Sequence, residues 1–314
     1  AVKQHVFFTF LWVASSLSLW SVPEVLVAVG AHGNEEFGKK FTRWANAWKD
    51  ACSKGGATFS MIEKPIGDTS PREQIKAWLS SRSDGDSSLW IIFIGHGTFD
   101  GKRAKLNLRG PDVSATELAA WIKPVKAPVV FFNTASSSSP FISAISGANR
   151  VIITATRSGG EQNFARFGEY LSVAIGNADA DLDKDGQTSV LEAFLVASRQ
   201  LSDFYDAEGR LATEHPLIDD NGDQLGTPPE WFRGVRPVKK SVDGSPDGYR
   251  AHQFHLVLGE QEKLIPEALR RERDALEVEV YKLRDQKAQL PEEEYYQKLE
   301  TILRKIGRIY EQAG

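Results

Sequence analysis

The chain has 314 residues, 41% of them hydrophobic and 25% charged, which is ordinary globular composition and leaves room for a sizeable core in one large or two medium domains. Its formal net charge is −4, with both signs spread along the chain, so it lacks the basic field with which a nucleic-acid binder neutralises phosphates. Its single cysteine, Cys52, cannot close an internal disulfide, and stability must come from packing or from bound metal.

At the N-terminus Lys3 precedes the apolar run Val6 to Ala14, and the small residues Ala14, Ser16 and Ser18 follow at the spacing a signal peptidase accepts. Residues 1–22 are therefore read as a secretory signal peptide, with an extracytoplasmic destination, periplasmic or secreted. The run is too short to span a bilayer comfortably, and no other segment could cross one.

After Pro23, β-branched runs alternate with amphipathic stretches, the pattern of a parallel sheet flanked by helices. The predicted strands are Val25 to Gly30, Ala57 to Ile62, Leu89 to Ile94, Pro128 to Phe132 and Val151 to Ala155. The predicted helices are Glu35 to Lys54, Pro71 to Ser81, Ser114 to Trp121 and Pro140 to Ser146. Ser114 and Glu117 have capping-box spacing, and the wholly apolar Leu89 to Ile94 suits a strand covered on both faces. The fold class is thus α/β, an open doubly wound and mostly parallel sheet spanning residues 23–260.

Asp181, Asp183, Asp185, Gly186 and Glu192 occupy positions 1, 3, 5, 6 and 12 of an EF-hand-type loop, where calcium finds carboxylates and the turn finds its glycine. Gln187 would offer its carbonyl and Ser189 a ligand directly or through water. Amphipathic stretches, Phe164 to Ile175 and Val190 to Phe204, flank the loop, and calcium is the predicted cofactor. A second cluster, Asp219, Asn221 and Asp223, resembles the start of such a loop, but Gln224 stands where the glycine belongs, so it is read first as a turn, with a share in binding an ion as the lesser alternative.

Residues 203–235 are rich in Asp, Gly, Pro and Glu and predict a long irregular connection. Ala251 to Leu258 predicts one more strand. Beyond Gln261, Leu269, Leu276, Leu283 and Leu290 recur every seven residues. After Pro291, Tyr295, Leu299, Ile302, Ile306 and Ile309 follow a 4, 3, 4, 3 seam. Residues 261–314 should form a helical hairpin that packs on its own domain or supports a homodimer.

In open α/β sheets reactive groups collect beyond the carboxyl ends of the strands. There lie Gly95-His96-Gly97, after the strand ending at Ile94, and Asn133-Thr134-Ala135-Ser136-Ser137-Ser138-Ser139, after the strand ending at Phe132. With VIITATR at Val151 to Arg157 and FARFGEY at Phe164 to Tyr170, this order resembles the caspase and legumain clan of cysteine peptidases, in its bacterial form, over Val25 to Ser202. The resemblance implies a caspase-like fold, a peptide or protein substrate, and a histidine–cysteine dyad. His96 matches the histidine, but Ser136 stands where the family carries its nucleophilic cysteine. A serine hydroxyl needs a well-placed base and usually an orienting acid, which a two-residue dyad does not supply.

Three readings follow. The chain could be a hydrolase in which His96 activates Ser136, or one of Ser137 to Ser139, with backbone amides near Gly97 and Ser136 as the oxyanion donors and Asn133 lining the cleft. It could be an inert homologue that keeps a peptide-binding cleft and structural calcium. It could also be an assembly protein led by the C-terminal hairpin.

Overall fold

The computed structural model describes residues 22–241 and 244–313. The predicted signal peptide therefore lies outside the described residues, apart from Val22.

In chain order the elements are β1 (Glu24–Val29), α1 (Glu35–Gly55), β2 (Thr58–Ile62), α2 (Pro71–Ser80), β3 (Leu89–Ile94), the short strands β4 (Gly97–Phe99), β5 (Ala104–Leu106) and β6 (Val113–Ser114), and α3 (Ala115–Ile122). Then come β7 (Val129–Asn133), α4 (Pro140–Ile145), β8 (Arg150–Thr154), α5 (Phe167–Ala174), α6 (Val190–Ala207), β9 (Leu217–Asp219), β10 (Phe232–Arg233), β11 (Arg236–Pro237), α7 (Glu260–Leu264), α8 (Glu267–Asp285) and α9 (Glu292–Ala313). The main sheet has the order β2-β1-β3-β7-β8-β9, parallel except for β9, which runs antiparallel to β8. This is the mixed α/β, mostly parallel architecture with C-terminal helices that the sequence predicts.

The sheet divides the core in two because successive strand residues point to opposite faces. Val25, Val27, Trp90, Ile92 and Ile94 meet α1, α5 and α6 through Phe41, Trp48, Leu171 and Phe194, whereas Leu26, Ile91 and Phe93 meet α2, α3 and α4 through Ile75, Leu118 and Phe141. All six residues of β3 are buried. Capping fixes where the helices begin: Ser70 with Glu73, Ser114 with Glu117, and Ser189 with Glu192 each form a complete capping box.

Three local expectations are corrected. Ala251 to Leu258 is not a strand. Ala251–Gln253 form a 3₁₀ turn, and the stretch makes only an isolated antiparallel bridge, His255 to Ser189, outside any ladder. The backbone cannot extend there because Ala251 N–H donates to Asp220 Oδ2 at 2.7 Å and His252 N–H to the Gly248 carbonyl at 3.0 Å. The 203–235 connection is only partly irregular. Helix α6 runs on to Ala207, β9 adds an edge strand, and β10 and β11 form a small hairpin. The helix before the acidic loop starts at Phe167 rather than Phe164, where the buried Glu214 carboxylate accepts the Arg166 and Phe167 amides at 2.7 and 3.0 Å.

Helices α8 and α9 pack on each other, with Leu276, Leu283, Tyr295 and Ile309 buried. Arg273, 8% exposed, ties α8 to α7 through a two-pronged pair with Glu262 at 2.7 and 2.7 Å, and Tyr249 of the body stacks on Tyr281 of α8 with ring centroids 4.4 Å apart. Among the described residues no helix is long and apolar enough to cross a membrane.

Candidate functional site

Strands β3 and β7 are neighbours, with Phe93 opposite Asn133, so the turns that follow them meet at the carboxyl edge of the sheet. Thr134 fastens them: its amide and its hydroxyl both donate to the Phe93 carbonyl, at 2.9 and 2.8 Å. The junction is tight. A Cβ on Gly97 would lie 2.1 Å from the Ser136 carbonyl oxygen, so glycine is required there by close approach of two backbones. Gly97 opens β4, the first strand of the small antiparallel sheet β4-β5-β6, which fixes that turn from above.

Within this junction the Ser136 side chain turns to the backbone. Its Oγ accepts from the Gly97 amide at 3.1 Å, and its hydroxyl donates to the Gly97 carbonyl at 3.2 Å. Ser136 is 3% exposed. His96 makes no hydrogen bond to any of Ser136 to Ser139 among the described contacts. Its Nε2 faces the His32 carbonyl at 3.4 Å, and its ring is edged by Phe37, Phe41 and Phe164 at centroid distances of 4.8, 5.3 and 6.0 Å. Loss of hydration in that aromatic surround holds the imidazole below its ordinary pKa, in the neutral form.

The neighbouring hydroxyls are engaged or enclosed. Ser138 Oγ pairs with Thr156 Oγ1 at 3.1 Å and accepts the Thr156 amide, while Ser137 takes a left-handed φ of 55° and buries its Oγ without a partner. Asn133 is buried, and its Oδ1 accepts the Ala135 amide at 3.1 Å, shaping the turn. A surface hollow lined by His32, Lys39, Arg43, Glu63 and Arg109 opens beside the His32 loop, close to where the strand order reverses between β1 and β3. Cys52 lies buried in α1 with its thiol pushed up to about 12 by burial, so it offers no thiolate.

The acidic loop joins α5 to α6. Carboxylate oxygens of Asp181, Asp183 and Asp185 lie within 4.8 Å of one another. Asp181 Oδ2 accepts the Gly186 amide at 3.0 Å, and Gly186 takes the left-handed φ of 92° expected of that turn. Glu192 is buried, with Oε1 accepting the Leu182 amide at 2.7 Å and Oε2 completing the cap with Ser189. Gln187 Oε1 accepts the Gly259 amide at 3.2 Å, tying the loop to the segment before α7. Sequence reasoning missed His252, whose Nε2 sits 3.0 Å from Asp183 Oδ2 and forms a further three-group cluster with Asp183 and Glu192. It lies far along the chain, with no spacing signal to connect it to the loop.

No family model and no curated protein matches the chain. Among solved structures, caspase-1 from Spodoptera frugiperda is similar with a TM-score of 0.44 and 12% identity, over 64% of this chain and 86% of its own. The Drosophila initiator caspase Dronc is similar with a TM-score of 0.40 and 12% identity, over 65% of this chain and 81% of its own.

Proposed function

We propose that the chain is a caspase-like peptidase homologue, silent at the His96–Ser136 position, that holds a peptide or protein segment at the carboxyl edge of the sheet and uses calcium in the Asp181–Glu192 loop as a structural brace. The observation that carries this reading is the engagement of Ser136. Its hydroxyl is spent on the Gly97 backbone while His96 faces His32 among three aromatic rings. A general base must reach the proton it abstracts, and the Gly97 amide, the natural oxyanion donor of such a turn, already donates to the serine itself.

The calcium part is supported by donor chemistry. Three carboxylates converge, Gly186 makes the turn, and Asp181, Asp183, Asp185, the Gln187 carbonyl, Ser189 and Glu192 are the oxygen ligands that would hold the ion. Bound there, calcium would neutralise crowded carboxylates and lock α5 to α6. Tyr296, Leu303 and Tyr310, seven residues apart on α9 and each about half exposed, support a homodimer contact through the hairpin.

A fluorophosphonate probe tests the silence. The intact protein should remain unlabelled while resisting denaturation normally, whereas labelling that vanishes in Ser136→Ala would establish the hydrolase instead. Ser136→Cys reports on the cleft, since gain of peptide cleavage shows that a substrate-holding groove is preserved.

A further inference from the structure

The stretch from Asp219 to Leu225 repeats the backbone of Asp181 to Gln187. In the first loop the fourth and sixth residues, Lys184 and Gly186, have φ of 66° and 92°; in the second, Gly222 and Gln224 have 83° and 69°. Side chains and amides pair in the same order. Asp181 Oδ1 accepts from Lys184 N at 2.6 Å, Asp183 Oδ1 from Asp185 N at 3.3 Å, and Asp185 Oδ1 from Gln187 N at 3.0 Å. Correspondingly, Asp219 Oδ1 accepts from Gly222 N at 3.0 Å, Asn221 Oδ1 from Asp223 N at 2.7 Å, and Asp223 Oδ1 from Leu225 N at 2.8 Å. Gln224, standing where the glycine belongs, takes up the left-handed backbone that glycine adopts more cheaply.

The two loops differ at their first aspartate. Asp181 Oδ2 accepts the amide of the sixth residue, whereas Asp219 Oδ2 has no hydrogen-bond partner although Asp219 is only 1% exposed. Ser146 lies beside Asp219 but outside hydrogen-bonding geometry, and its Oγ is likewise buried and unpartnered. A buried carboxylate oxygen without a donor is costly, and native structures keep such atoms for a partner that satisfies them.

We propose that Asp219, Asn221 and Asp223, with the Leu225 carbonyl, form a second cation site for a hard divalent ion of the calcium class. Every donor is an oxygen, the preference of calcium rather than of a zinc-type ion. The ninth position is not free, because Thr227 Oγ1 donates to Asp247 Oδ2 at 2.6 Å, and the twelfth, Glu230, is exposed on a 3₁₀ turn. Water completes the shell, and the site is the weaker of the two. Asn221 Nδ2 donates to the Ser245 carbonyl at 2.7 Å and Ser241 Oγ to Asp223 Oδ2 at 2.9 Å, so the ion braces the edge strand β9 against the segment leading to the C-terminal helices.

This site stands independently of the calcium proposed for the first loop, and calorimetric titration of the full chain with calcium alone separates the two. Two ions per chain are expected, falling to one in Asp223→Asn, in Asp219→Asn and in Asp181→Asn. If Asp219→Asn fails to fold, Asp223→Asn, isosteric and half-buried, carries the test. One ion per chain that survives Asp223→Asn and disappears in Asp181→Asn overturns the second site and leaves the first. An ion lost in Asp223→Asn but untouched by Asp181→Asn upholds the second site and removes the first. No calcium binding at all overturns both.

Discussion

Replacing Ser136 with alanine separates a structural serine from a catalytic one by stability rather than by activity. The side chain is 3% exposed, and its hydroxyl both accepts from the Gly97 amide at 3.1 Å and donates to the Gly97 carbonyl at 3.2 Å. Each such bond contributes about 1 kcal/mol net, and a buried amide stripped of its acceptor costs about 1–3 kcal/mol. Both bonds are on the long side, so we expect Ser136→Ala to lose about 2 kcal/mol. In a domain of this size that lowers the melting temperature by roughly 4–8 °C. Urea unfolding followed by tryptophan fluorescence, beside a calorimetric melt, measures the change. A nucleophile held in place for catalysis predicts the opposite sign or no change, because reactive sites are commonly kept at the expense of stability. If Ser136→Ala unfolds within about 0.5 kcal/mol of the parent, the backbone engagement of Ser136 is not a structural clasp and the reasoning fails.

Gly97→Ala should be more damaging than Ser136→Ala, losing roughly 3 kcal/mol or more in the same unfolding assay, because its Cβ would lie 2.1 Å from a backbone oxygen that cannot move aside. Glu214 predicts a pH signature: burial raises its carboxyl from 4.5 to about 7 in the fold. Its stabilising contribution is complete below pH 4.5 and is lost as the pH rises through about 7, on the order of 3 kcal/mol, so the stability difference between parent and Glu214→Gln should shrink or reverse over that window. A difference that stays flat between pH 4.5 and 7 would refute it. Chelator should lower the melting temperature, and Glu192→Gln should blunt that response; identical melts in chelator and in excess calcium would end the calcium proposal. Removing residues 261–314 should reduce the oligomeric mass in light scattering, and an unchanged mass removes the hairpin as a dimer contact.

Strands β1, β3, β7 and β8 were legible because a strand covered on both faces must be apolar almost without interruption, as Leu89 to Ile94 is, whereas β2, at the edge of the sheet, is only partly buried. The capping-box spacing of Ser114 and Glu117 marked a helix start for a local reason, and the structure shows the same device at Ser70 and Ser189. What escaped was set by distant partners. Strands β4 to β6 are two or three residues long and carry no periodicity, and β9 hides its pairing with β8 behind the polar pair Asp219-Asp220. The alternation in Ala251 to Leu258 suggested a strand, yet the Asp220 carboxylate captures the Gly248 and Ala251 amides, at 2.9 and 2.7 Å, and bends the chain into a turn. At the candidate site, sequence order brought His96 and the serines to one edge of the sheet, but the direction of their side chains depended on Phe37, Phe41, Phe164 and the Gly97 backbone, which no linear motif encodes.

The bonds from Asp220 to Gly248 and Ala251, and from Asp247 back to the amides of Asp220 and Asn221, close a loop of about thirty residues at the last strand of the sheet. Every partner in this closure precedes Gln261. A nascent chain can therefore finish its sheet and seal its open flank before the terminal helices leave the ribosome, which places docking of the hairpin last in the order of assembly.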